Sequence, residues 1–172
     1  CFNEQLESFA LPVAFEYGWD RPEGFDPGIQ HNSWVEYQWD NVLEFCWMIL
    51  EYEKYTGKDI SKFIPLIESC LVFFDEHYQY LSLKRTTKAL DENGHLVIYP
   101  GTACETYKMA TNPVPTIVAL ETVINGLLMI SDKYLTNESR AYFREYLSRI
   151  PPISFRKMSG HKTIAPAERY ER

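Results

Sequence analysis

Two fifteen-residue stretches of the chain, FCWMILEYEKYTGKD at 45–59 and INGLLMISDKYLTNE at 124–138, align at a constant offset of 79 residues. Phe45 meets Ile124, Met48 meets Leu127, Ile49 meets Leu128, and Glu53-Lys54-Tyr55 meets Asp132-Lys133-Tyr134. Each stretch reads as the end of one helix and the turn into the next. A repeated helical hairpin buries its apolar face on its next copy, so this repeat constrains the fold more than any other feature. The offset exceeds the ~34 to 47 residues of ordinary helical solenoids, which implies a long connection inserted between the copies.

Four helices follow from apolar residues at 3.6-residue spacing. Ser33 with Glu36 forms a capping box that starts the first. Val42, Phe45, Cys46, Ile49 and Leu50 then follow at helical spacing, with Leu43, Trp47 and Met48 on the other side, so this helix should be buried on several faces. The second runs from Asp59 or Ser61 into the low eighties, with Phe63, Ile67, Cys70, Leu71 and Phe74 inward. Pro65 fits it only in the first turn. Pro115 opens the third, with Ile117, Leu120, Ile124, Leu127 and Leu128 inward. Thr136 or Asn137 caps the fourth, and Ile150-Pro151-Pro152 stops it. The reading is a mainly α protein with hairpins at 33–82 and 115–149. Asn93-Gly94 marks a turn into a short β element near 95–99, half of a hairpin. Residues 1–32 read as a loop-rich lead-in, and 33–172 as one unit ending in a loop.

At 172 residues, 45% of them apolar, the chain suits one domain with a core of its own. A net charge of −7 and the lack of a Lys/Arg cluster argue against a nucleic-acid partner. The longest mostly apolar stretch, VLEFCWMIL, falls far short of the ~20 residues of a membrane span. No secretory signal is visible. The chain opens on Cys1 and closes on APAERYER, which reads as an excerpt or processed piece of a longer protein, a lipidated Cys1 being the lesser alternative. Cys1, Cys46, Cys70 and Cys104 have no metal-type spacing, and no metal or cofactor is expected. Phe, Tyr and Trp make up 15% of the residues, enough to fill a core and also to offer flat platforms for sugar rings.

The inserted connection contains IYPGTACETYKMATNPVPT, residues 98–116, a run with few helix formers, Pro100, Pro113 and Pro115, and a single acidic residue, Glu105. A carboxyl held in such an uncharged segment is desolvated, which raises its pKa toward the range of a general acid. The plainer reading of Glu105 is a surface glutamate capping a local turn. Near residues 30–40, His31 can bind a sugar hydroxyl or satisfy a loop carbonyl. Trp34 and Trp39 can stack on sugar or fill the core. Asp40 suits either a sugar contact or a charge at the start of a helix. Glu36 fits the capping box better than a base. His161 has no partner in view, and Cys104 lacks a neighbouring His.

Three segments together resemble the six-hairpin glycosidases, most closely the inverting α-L-fucosidase branch and its uncharacterised relatives. They are IQHNSWVEYQWDNVLEF (29–45), HLVIYPGTACETYK (95–108) and IPPISFRKMSGHKTIAP (150–166). The resemblance implies part of an (α/α)6 toroid and an inverting glycoside hydrolase acting on a glycan. It places Glu105 at the general acid and makes Asn32 comparable to a family Asn, while His31, Trp34, Trp39 and Asp40 join Asn32 as candidate substrate contacts near the same mouth. The chain departs from the family at QHNSW, where only Asn32 matches an Asn pair, and at Ile164-Ala165-Pro166-Ala167 in place of Glu-Trp. The general base is therefore unassigned. The resemblance also implies a secreted or periplasmic setting. Further segments of a parent chain, or a second copy, would cover the apolar helix faces, and the piece would be inactive alone. The alternative is a helical-repeat interaction or sugar-binding module without catalysis.

Overall fold

The computed structural model describes residues 37–104 and 107–171. Four helices carry most of them: α1 Asn41–Thr56, α2 Ile64–Arg85, α3 Val114–Met129 and α4 Asn137–Arg149. Five strands accompany the helices: β1 Gly101–Ala103, β2 Tyr107–Pro113, β3 Phe155–Met158, β4 His161–Ile164 and β5 Ala167–Glu171. β1, β2 and β5 form one antiparallel sheet in that order, and β3 with β4 forms a separate hairpin.

The expectation of a mainly α partial toroid with a short β element near 95–99 is overturned. Four described helices do not make a toroid of six hairpins, and two small antiparallel sheets stand beside them. Residues 95–99 do run extended, with Leu96 and Ile98 buried and Val97 and Tyr99 half-buried between them, but they join no strand. Their backbone bonds go elsewhere. Leu96 N donates to Arg149 O (2.7 Å), closing a carbonyl at the end of α4. Ile98 exchanges bonds with Asn112 alone: its amide donates to Asn112 Oδ1 (2.9 Å) and its carbonyl accepts from Asn112 N (2.8 Å).

The C-terminal segment expected as a loop forms three strands. Ser159 and Gly160 take φ of 51° and 82°, the double positive φ that a two-residue hairpin turn requires, and Met158 pairs with His161 across it. β5 then returns to β2, pairing Ala167 with Pro113 and Arg169 with Thr111.

The first helix starts later than the capping box implies. Ser33 and Glu36 lie outside the described residues, but Tyr37 has φ of 60° and residues 37–40 are not helical, so α1 begins at Asn41. Gly57 ends it, and Pro65 sits in the first turn of α2. Thr136 Oγ1 caps α4 by accepting from Ser139 N (3.0 Å). At the end of α3 the buried Arg140 guanidinium donates to Leu128 O (2.8 Å) and Ile130 O (3.0 Å), satisfying carbonyls the helix leaves open.

One core joins the helices, built around Leu43, Cys46, Ile67, Leu71, Phe74, Ile117, Leu120, Ile124 and Tyr146. α1 packs against α2 and α3, and α3 against α4. Gly126 allows the close approach of α1, because a Cβ there would stand 2.9 Å from the Trp47 ring and 3.1 Å from Leu50 Cδ1. The turn after α1 meets the turn after α3, with Lys133 Nζ 3.5 Å from Asp59 Oδ1. The two copies of the repeat are not equally covered: Ile124 and Leu127 are fully buried, whereas the matching Phe45 and Met48 are 60% and 53% exposed. Phe45, Met48, Tyr52 and Tyr55 form a continuous apolar stripe on the outer side of α1. No described helix is long and apolar enough to cross a membrane.

α2 and α4 are locked by an ion pair. The Asp75 carboxylate, 2% exposed, accepts from Arg149 Nη2 (2.6 Å), Arg149 Nε (3.3 Å), Tyr142 Oη (2.7 Å) and Gln79 Nε2 (2.8 Å). Removing one partner of such a buried pair leaves an uncompensated charge. Arg149→Ala is expected to cost ~3–5 kcal/mol in urea denaturation. Glu145→Ala, which removes the exposed partner of the same arginine, should stay within ~0.5 kcal/mol. Equal effects would show that the pair contributes nothing special.

Candidate functional site

The sequence candidates divide by where they fall. Glu105, His31, Asn32, Trp34 and Glu36 lie outside the described residues. Glu105 belongs to the connection between β1 and β2, whose flanking residues Ala103 and Tyr107 are paired in register. Trp39 and Asp40 are described, and they stand together at the start of α1.

Trp39 is 6% exposed and surrounded by rings of α2. Its centroid lies 4.6 Å from His77, 5.3 Å from Phe73 and 5.9 Å from Tyr78. Its faces are thus packed on protein, and its Nε1 is buried with no hydrogen-bond partner. His77 stacks on Phe73 at 5.0 Å, and its Nε2 is likewise buried and unpartnered. Burial pushes the His77 pKa down, with Arg85 adding to the effect, so the ring stays neutral at neutral pH.

Asp40 occupies the N-cap position of α1, but its side chain caps nothing. Its φ and ψ of −62° and −21° are helical, whereas a capping residue ordinarily stands in the β region. One oxygen, Oδ1, is buried without a partner. Desolvation raises the Asp40 pKa, a bond from its own backbone amide opposes that, and the Glu44 charge adds to the rise. Tyr78, buried on α2, donates from its hydroxyl to Pro100 O (3.2 Å), and burial together with the Asp40 charge raises its pKa. Asp40, Trp39, His77 and Tyr78 therefore form one cluster, tied through Pro100 to the strand that leads into the Glu105 connection. The cluster sets a carboxyl of raised pKa and an imidazole of lowered pKa within one aromatic wall.

The other candidates stand apart. His161 is exposed on the β3–β4 hairpin. Cys104 is exposed at the end of β1 with φ of 52°. Cys46 and Cys70 face each other in the core between α1 and α2, where the thiol–thiol hydrogen bond and burial push the Cys46 pKa up. Among the described residues no group of three or more His, Cys, Asp or Glu could hold a metal ion.

Sequence reasoning missed Asn112, His77 and Tyr78. Asn112 is buried with φ of 51° and ties three segments together, its Nδ2 donating to Glu168 Oε2 at 2.7 Å beyond its bonds to Ile98. The signal available for it was an Asn directly before a Pro, which marks an irregular strand end. His77 and Tyr78 looked like ordinary members of a helix pattern. Comparison with protein-family models, curated proteins and solved structures returns no match for the chain.

The raised Asp40 pKa has a definite sign in stability. Folding disfavours the ionised form, so the cost is absent below the ordinary value of 3.8 and grows as pH rises through it toward the folded-state pKa. Asp40→Asn should therefore raise the melting temperature at neutral pH, and the gain should vanish in melts below pH 3.8. A variant less stable than the parent at neutral pH would mean that the carboxylate is paired in solution.

Proposed function

We propose that the chain is part of a carbohydrate-active enzyme, a glycoside hydrolase of the inverting type acting on a glycan. The observation that carries this reading is the Asp40 carboxyl, desolvated, with an unpartnered oxygen, amid Trp39, His77 and Tyr78. Glycoside cleavage needs a pair of carboxyl groups whose environments push their pKa values apart, set beside apolar surface for the sugar ring. The likeness of three sequence segments to the inverting α-L-fucosidases supports Glu105 as the acid that protonates the leaving oxygen. Asp40 is the described carboxyl that we assign to a contact with substrate or with the attacking water. His31, Asn32 and Trp34 complete the proposed substrate contacts.

The reaction is tested with the full-length natural protein on aryl glycosides and oligosaccharides, with the anomeric configuration of the first-formed sugar followed by proton NMR. Hydrolysis with inversion is expected, and Glu105→Gln should lower kcat ~10²–10⁴-fold. The loss should be smallest for aryl glycosides whose leaving groups need no proton. Retention of configuration would overturn the inverting assignment. Binding without hydrolysis, unaffected by Glu105→Gln, would leave a sugar-binding module.

A further inference from the structure

A second site lies on the far side of the extended segment 95–99, away from the Asp40 cluster. There a groove of about 490 Å³ opens between the end of α2 and the β1–β2–β5 sheet. Arg85 and Arg169 stand on its rim, Tyr99 and Tyr170 line it, and Thr86 and Thr111 add hydroxyls. No described carboxylate lines it, in a chain whose net charge is −7. A third guanidinium supports it from behind: Arg156, on β3, donates from Nη1 to Tyr170 Oη (3.1 Å), and its Nε is buried with no partner.

The arrangement is built rather than incidental. Arg85 donates from Nη1 to Tyr99 O (2.7 Å) with its guanidinium 5.1 Å from the Tyr99 ring centre, so this long side chain is held in place. Tyr170 is braced by Tyr107 at 4.6 Å in an edge-to-face pair. Arg169 is the freest of the three: among the described residues its one ion-pair contact is with Glu168 at 4.0 Å, and that carboxylate is already bonded by Asn112. Beyond Arg85 a neighbouring cleft carries Asp91 and Glu92 against Arg85 and Lys88, so the charges there balance, whereas the charged residues that line the sheet-side groove are Arg85 and Arg169.

The geometry points to this groove as a binding site for an anionic glycan, with Arg85 and Arg169 holding a carboxylate of a uronic acid or a sulfate ester and Tyr99 and Tyr170 facing the sugar ring. Guanidinium forks match planar and tetrahedral oxyanions bidentately, and tyrosine rings present flat apolar faces with a polar edge. The volume falls in the ~300–1,000 Å³ range of small-ligand sites. An acidic chain repels anions at long range, so an anionic ligand here depends on short, direct contacts. A nucleic acid would need a longer basic track than this groove offers. The inference refines the glycan reading by naming the charge class, and it rests on that reading for the sugar, but the groove is lined by none of the residues of the Asp40 cluster.

Calorimetric titration of the full-length protein with oligogalacturonate, a neutral galacto-oligosaccharide of equal length, a sulfated oligosaccharide and a single-stranded RNA tests it. At least one of the two anionic sugars should bind ~10-fold or more tightly than the neutral one, as charged hydrogen bonds imply. Their difference tells carboxylate from sulfate. Arg169→Gln, whose side chain supports no other described element, should weaken that binding ~10-fold with the melting temperature unchanged. Arg85→Gln should act in the same direction, and Glu145→Ala, an exposed change on α4 outside the groove, should leave binding intact; binding is read without turnover, so its outcome stands apart from that of the hydrolysis test. Equal affinity for neutral and anionic sugars, or an unaltered Arg169→Gln variant, overturns the proposal. RNA binding as tight as that of the anionic sugar assigns the groove to nucleic acid instead.

Discussion

The bond between Asp75 and Arg149 joins α4 to α2, the helix that carries His77 and Tyr78. Four donor contacts converge on one buried carboxylate, and burial of the charge is offset only because its lone pairs are so fully used. Burial alone would lower the Arg149 pKa, and the bonds from Asp75 reverse that, so the arginine stays charged. The pair holds α4 against α2 across a gap that backbone packing does not close. Arg149 then carries the next link through its own carbonyl, which accepts from Leu96 N. From Leu96 the chain reaches Ile98, from Ile98 it bonds Asn112, and Asn112 reaches Glu168 on β5. The small sheet is thus tied to the helices through one continuous set of polar contacts.

The helices were legible because a buried helix face repeats at short range, and Ile67, Cys70, Leu71 and Phe74 declare it within a single window. The β content was not, for reasons that differ by element. Residues 95–99 show the correct alternation, but alternation says nothing of the partner, and the partners here are a helix end and an asparagine side chain. β2 has positive φ at Met109, where its register against β5 shifts, and again at Asn112, and both breaks hide its period. The β3–β4 hairpin did leave a local signal, Ser159-Gly160 between two polar strands, which the preceding Pro151-Pro152 made look like an open loop. The start of α1 was placed too early by the Ser33–Glu36 pair, because the positive φ at Tyr37 keeps the chain out of the helix until Asn41.

The site was legible in part. Asp40 and Trp39 stood out because they are polar or aromatic near a helix start, yet their meaning came from α2. His77 and Tyr78 are ordinary members of a helix pattern until Trp39 is folded against them. The cationic groove was beyond any local reading. Arg85, Arg156 and Arg169 come from a helix end and two strands far apart in sequence, and the overall charge of −7 argues against a positive site anywhere. Net charge describes the long-range field, whereas binding at close quarters depends on which few groups are brought together.

The two sites share one physical element. Along residues 96–100 a period of two sends Leu96 and Ile98 into the core while Val97 and Tyr99 line the cationic groove. Pro100, next in line, takes the Tyr78 hydroxyl and so borders the Asp40 cluster. A strand buried in a sheet would have both neighbours filled by backbone. This one is held from its ends and by Asn112, which leaves its outer side chains free to form a wall. The extended segment therefore works as a partition, and its unpaired backbone is tolerable because Arg149 O and Asn112 supply bonds that a neighbouring strand would otherwise give. Shifting that segment by one residue would exchange its core and groove residues at once, so the contacts that fix its register fix the surfaces on both sides.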